Sequence, residues 1–369
     1  MHNINFLSAK TLIKKLSVLT TGIALIALGT AAQADASLTK SYQFNGKGNW
    51  SIDGVGGNTT PVGTLETFVP SGSNIEAAFL YSSGFNFNGN TAVPNIVFDG
   101  TSYGASDFVS LGDFNPNPSN TSFNLGAYRA DVTSQVAGKV GSGGGLFSFL
   151  LDSENPTRNI DGEVLAVVYS NPTEQERTIA FLDGFTTSGG DTTTVNFTDP
   201  LNINTPNFEA LLSLGIGFGS QGNAQFSTVD IDGRRLTSSA GGQDDGANGN
   251  GALITVGGRG DSPANPSDPF ATPNGPNTDD ELYNLALGNN IDINPFLTQG
   301  ATSFNIKTEN PSLDDNIFFA GINITAKASV NEPPTQSVPE PTTILGLVAI
   351  GGFGLHSSKK RKSKFSNKA

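Results

Sequence analysis

Ile317-Phe318-Phe319-Ala320-Gly321-Ile322-Asn323-Ile324-Thr325 is the stretch whose reading decides the fold. Successive side chains of a strand point to opposite faces. Phe318, Ala320, Ile322 and Ile324 then share a buried face, and Asn323 and Thr325 take the other. Residues 163–169 read differently. Val164, Leu165, Ala166, Val167 and Val168 form an unbroken apolar run, as in a central strand covered on both faces. Working outward, further short apolar runs at 38–44, 64–69, 75–81, 95–98, 146–151, 178–182, 192–197, 224–231, 253–256 and 303–307 are bounded by Asp-Gly, Asn-Gly or Asn-Pro turns. The expectation is an all-β chain, an antiparallel two-sheet sandwich or jelly roll, with helices only in the terminal segments and at two short internal sites. Those sites are 129–140, closed by Gly141, and 279–287, where Thr278 and Glu281 match a capping box.

The first 34 residues read as a secretion signal. Lys10, Lys14 and Lys15 precede an apolar segment at 16–28, and Ala32-Gln33-Ala34 supplies an A-x-A site, so signal peptidase is expected to cut between Ala34 and Asp35. At the other end, Pro339-Glu340-Pro341 precedes an apolar run that ends at Leu355, and then Lys359, Lys360, Arg361, Lys362, Lys364 and Lys368. As a helix, 342–355 would reach about 21 Å, short of a hydrocarbon core of about 30 Å. That suits a transient anchor. The basic tail would stay on the cytoplasmic side.

This order of motif, apolar segment and basic cluster resembles the PEP-CTERM sorting signal of Gram-negative bacteria. The resemblance covers about a tenth of the chain. It implies that Pro339, Glu340 and Pro341 are recognised by an exosortase, and that the chain reaches the cell surface or extracellular matrix through the inner membrane. The expected organisation is a signal peptide at 1–34, a β-sandwich ectodomain at 35–330, a linker at 331–338 and a sorting signal at 339–369. One sandwich is favoured over two domains split near 240–275, where the loops are rich in Gly, Asn, Asp and Pro.

Composition narrows the chemistry. Nine of the 20 Lys and Arg and one of the 33 acids lie in the terminal signals, which leaves 11 against 32 and a net charge of −21 for 35–338. Nucleic acid is a poor partner for such a surface. There is no Cys, and the two histidines, His2 and His356, sit in the signals. Ser-His-Asp and Cys-His catalysis and Cys/His metal sites are thereby removed from the middle of the chain. Carboxylates and hard cations remain. Asp230, Asp232, Asp244 and Asp245 are the candidate ligands for Ca²⁺, which takes oxygen donors from flexible loops.

Three other motifs have plainer readings. Gly217-Phe218-Gly219-Ser220-Gln221-Gly222 fits G-x-G-x-x-G but lacks the following helix of a dinucleotide site, so it reads as a glycine-rich turn. Arg259-Gly260-Asp261 reads as a loop. Glu154, Glu163, Glu174, Glu176 and Glu209 could serve a glycosidase, but nothing pairs them. The expected function is non-enzymatic: an exported structural or adhesive surface protein. The alternative is a carbohydrate-binding or carbohydrate-processing module of the extracellular polysaccharide matrix, which would present Trp50 and Tyr42 as a platform.

Overall fold

The computed structural model describes residues 38–58, 60–86, 95–114, 124–153, 160–186, 189–218, 227–241, 254–271, 281–312 and 315–332. In chain order the strands are β1 (Thr39–Gly56), β2 (Val62–Val69), β3 (Asn74–Asn86), β4 (Ile96–Phe98), β5 (Thr101–Tyr103), β6 (Phe108–Phe114), β7 (Asn124–Asp131), β8 (Gly145–Asp152), β9 (Ile160–Ser170) and β10 (Glu176–Asp183). They continue with β11 (Asp191–Phe197), β12 (Ala210–Gly217), β13 (Ser227–Ile231), β14 (Arg234–Ala240), β15 (Ile254–Val256), β16 (Leu282–Asn284), β17 (Ser303–Glu309), β18 (Asn316–Ile324) and β19 (Ala328–Val330). Among the described residues one helix, α1 (Thr133–Val140), interrupts them.

All the pairings are antiparallel, and the sheets pack face to face, as expected of a sandwich. There are three sheets among the described residues. A ten-stranded sheet runs β15-β12-β18-β10-β1-β9-β3-β7-β6, with β16 beside β12. A five-stranded sheet runs β14-β13-β17-β11-β19, and a four-stranded sheet runs β2-β8-β4-β5. The described residues from 38 to 332 belong to one compact unit.

The large sheet folds over on itself about β1. The first half of this 18-residue strand pairs with β10, from Thr39 opposite Asp183 to Lys47 opposite Glu176. The second half pairs with β9, from Gly48 opposite Ser170 to Gly56 opposite Gly162. One apolar core lies between the β10-side half and the five-stranded sheet, with Leu182, Leu212, Val229 and Ile322. A second lies between the β9-side half and the four-stranded sheet, with Leu65, Phe149, Leu165 and Val167. The third lies inside the fold of the large sheet, with Tyr81, Ala166, Phe181, Phe318 and Phe319.

The 317–325 stretch is corrected in one respect. All nine residues of β18 are buried, Asn323 included, so neither face meets water. A bulge sets its two faces. Gly215 pairs with Phe319 and Ile216 with Ile317, which leaves Phe318 without a partner on β12. Ile317, Ala320, Ile322 and Ile324 therefore fall in one core while Phe318 and Phe319 both fall in the aromatic one. By contrast β9 is covered on both faces as its sequence indicates, buried from Ile160 to Tyr169.

The helices are also corrected. Arg129–Asp131 end β7, and α1 starts only at Thr133, whose N–H donates to the Asp131 carboxylate at 2.9 Å. The 279–287 helix is absent from its described part. Leu282–Asn284 is strand β16 on the edge of β12, and Glu281 has φ 55°, which no helix allows. Thr278 lies outside the described residues. No described helix is long and apolar enough to cross a membrane.

Phe181 sits at the centre of the aromatic core, with ring centroids at 5.3 Å to Phe319, 6.1 Å to Tyr42 and 6.3 Å to Phe79 and Trp50. Phe181→Ala should lower unfolding stability by about 3–5 kcal/mol. Equilibrium denaturation monitored by Trp50 fluorescence is the check, with a single transition expected because β1 belongs to both halves.

Candidate functional site

A sheet buried on both faces has to internalise any acid its central strands carry, and β9 carries two. Asp161 and Glu163 are both fully buried at the N-terminal end of the strand. Ser83 of β3 faces Gly162 and Gly84 faces Ile160, so Asp161 occupies a bulge. Its Oδ2 accepts from the Ser83 hydroxyl at 3.1 Å and from the Phe218 N–H at 3.0 Å. Among the described residues its Oδ1 has no hydrogen bond, and neither Glu163 oxygen has one of ordinary geometry, although the Ser82 hydroxyl lies beside Glu163.

Burial pushes both carboxyls far above the usual carboxylate range, Asp161 to about 8 and Glu163 to about 8. The Asp161 charge raises Glu163 further, while the Ser83 and Phe218 donors pull Asp161 down. The surroundings are built from glycine. A Cβ at Gly57 would stand 3.4 Å from Glu163 Oε2, and one at Gly217 would collide with the Ser83 hydroxyl and stand 3.1 Å from Asp161 Oδ2.

Other acids are absorbed by internal partners. Asp183 on β10 pairs with Arg129 on β7 and accepts from the Tyr81 hydroxyl on β3 at 3.4 Å, a tie across the fold of the large sheet. Burial raises its carboxyl and Arg129 opposes this. Asp53 on β1 is pushed up to about 7, chiefly by burial, with the Glu66 N–H and the Arg259 charge pulling the other way. Glu281 accepts from the Gly241 N–H at 2.8 Å and the Thr255 hydroxyl at 2.5 Å. Its side chain anchors the 281 loop rather than capping a helix.

Asp230 and Asp232 lie at the β13–β14 turn, but they do different work. Asp230 is gripped by Arg235, at 2.7 Å from Nε and 3.3 Å from Nη2. Asp232, with φ 50°, accepts from the Asn305 N–H at 2.9 Å. Asp244 and Asp245 lie outside the described residues, as do Ala34, Asp35, Pro339, Glu340 and Pro341. No group of three or more acids that could hold a metal gathers among the described residues.

Arg259-Gly260-Asp261 is a turn with Arg259 and Gly260 exposed, as its sequence indicates, and it is tied at its base. Arg259 N–H donates to the Ile52 carbonyl at 2.8 Å, its guanidinium reaches Glu66 at 3.2 Å, and Asp261 accepts from the Gly258 N–H at 2.6 Å. Gly217 closes β12 and Phe218 has φ 60°, while 219–222 lie outside the described residues. Among the five glutamates, Glu163 is buried in the site above, and Glu209 pairs with Arg177 at 2.7 Å. Trp50 and Tyr42 are half-buried, both against Phe181, and burial pushes the Tyr42 hydroxyl up to about 12.

Sequence reasoning marks Glu163 as the start of a buried strand and as a loose carboxylate, but does not connect it with Asp161. The signal is present: two acids two residues apart, leading directly into five apolar residues. No family model matches the chain, and no curated protein matches it.

A buried carboxyl whose pKa is raised in the folded state favours folding at low pH. The contribution is complete below about 4, its unfolded value, and is lost as pH rises through about 8. In chelator, thermal stability should therefore fall between about pH 4 and pH 8. Glu163→Gln should flatten that slope, which a melting series across the range reads directly.

Proposed function

We propose that this chain is an exported, non-enzymatic protein of the cell surface or extracellular matrix, with a structural or adhesive role. In this reading signal peptidase removes 1–34, the apolar run after Pro341 holds the chain transiently at the inner membrane, and an exosortase processes it at Pro339-Glu340-Pro341. The observation that carries the reading is the C-terminal order of Pro-Glu-Pro, apolar segment and six basic residues. Two features support it. Residues 35–338 contain neither His nor Cys and have a net charge of −21 from 11 basic against 32 acidic residues. Two acids of the inner strands are taken up by internal partners, Asp183 by Arg129 and Asp53 by the Glu66 N–H.

A second reading is a carbohydrate-binding module of the polysaccharide matrix. Trp50 and Tyr42 favour it, because both keep part of their surface exposed beside Phe181, and sugars stack on such faces. Trp50→Ala with a glycan array separates the two readings. Loss of a specific glycan signal would support the module, and no signal in either protein would leave the structural role.

The export reading is tested by fractionating cells that express the full chain and sequencing the N-terminus of the surface-associated product. A product beginning at Asp35, lost to the membrane fraction when Pro339-Glu340-Pro341 is replaced by alanines, is expected. A full-length cytosolic chain with both tails intact overturns the reading.

A further inference from the structure

We infer that Asp161 and Glu163 form a site for a hard divalent cation of the Ca²⁺ type, set at the end of β9 where β1, β3 and β12 converge. The inference stands apart from the export reading, since it concerns only the interior of the sheet.

The first ground is the direction of the donors. Both hydrogen bonds to Asp161 end on Oδ2, from the Ser83 hydroxyl and the Phe218 N–H. Donors of this kind hold a carboxylate in its charged form. The remaining oxygens, Asp161 Oδ1 and both of Glu163, are fully buried and have no hydrogen bond of ordinary geometry among the described residues. A buried oxygen left in this way is costly. Protonation would remove the charges, but no hydrogen bond joins the two carboxyls. A cation satisfies all three oxygens together and cancels two negative charges. Carboxylate oxygens are its preferred ligands.

The second ground is the close approach of backbone to the pair and the lack of a counter-charge. Glycine lets neighbouring strands come close to one another. Gly57 faces Glu163 Oε2, and Gly217 faces Asp161 Oδ2 and Ser83, on the two strand ends that flank the pair. The Gly57 N–H donates to the Asp161 carbonyl at 2.8 Å, which fixes the β1 end over β9. Among the described residues no basic group acts on either acid: the influences on Asp161 are burial, Ser83 and Phe218, and those on Glu163 are burial, Asp161 and Ser82. Asp183 and Asp230, by contrast, each have an arginine. This pair is buried without a described counter-charge.

The test uses the purified full chain, stripped with chelator at pH 8 and titrated with Ca²⁺ or Mg²⁺ while melting and heat of binding are followed. Ca²⁺ should raise Tm by about 4 °C at a hundredfold excess over its dissociation constant. Asp161→Asn and Glu163→Gln should abolish that rise while melting in chelator at least as high as the parent. Should one variant fail to fold, the other decides alone: losing one of the two carboxylates should weaken Ca²⁺ at least tenfold, with melting in chelator at least as high as the parent. A parent chain that takes up no Ca²⁺, or the same rise in both carboxamide variants, overturns the assignment. The latter outcome would direct the ion to exposed acids elsewhere.

Discussion

The covering of one sheet by itself is the constraint on which the rest of the molecule depends. β1 is long enough to pair with β10 along its first half and β9 along its second. The sheet bends between these two pairings, and the concave side closes over Tyr81, Phe181, Phe318 and Phe319. The outer surfaces of the same strands then need covers of their own. The five-stranded sheet supplies one, and the four-stranded sheet with α1 supplies the other. Three apolar cores follow from one shared strand. This is how a chain with no cysteine can reach stability: apolar burial in several layers takes the role that disulfides have in small secreted domains.

Burial on both faces governs what the polar residues can do. On the covering sheets, alternation holds. In β17, Phe304, Ile306 and Thr308 face inward while Ser303, Asn305 and Lys307 face out. On the central strands there is no outside, so each polar group requires a partner within the fold. Arg129 and Asp183 answer each other across the bend, and Arg129 also lies 5.3 Å from the Phe79 ring centroid. Asn323 accepts from Arg177 at 3.3 Å and donates to Asn49 at 2.7 Å, which joins β18, β10 and β1. Buried ion pairs of this type add little net stability over apolar residues, but losing one partner is costly. They fix register in a sheet whose faces are otherwise uniformly greasy.

Class and central strand are legible in the sequence because they rest on local pattern. The five apolar residues after Glu163 mark β9 without any knowledge of its neighbours, and Asp-Gly and Asn-Gly turns mark strand ends. What is not legible depends on partners. The alternation of 317–325 looks one-sided because the Phe318 bulge exists only in register with Gly215 and Ile216. Residues 279–287 carry a helical spacing of apolar groups, yet β12 offers Leu211–Ser213 as an edge, and pairing with Asn284–Leu282 overrides the local preference. Helix α1 starts later than its sequence suggests because the backbone of Arg129–Asp131 is claimed by β3. The carboxyl pair is hidden for the same reason. Glu163 reads only as the start of a strand, and its link to Asp161 shows only once β3 and β12 are seen to close over them.

The same logic separates the Asp230 and Asp161 clusters. Asp230 and Asp232 sit on a turn of an outer sheet, where Arg235 and the Asn305 N–H meet their charges locally. Asp161 and Glu163 sit on a strand buried from Ile160 to Tyr169, away from the solvent surface and with no described arginine acting on them. Sequence weighs an acid by its neighbours in the chain, and by that measure the Asp230 cluster is the richer. Energetics weighs it by what it has given up on leaving water. By that measure a pair of fully buried carboxyls with three unanswered oxygens demands an explanation, and a turn at the edge of an outer sheet does not.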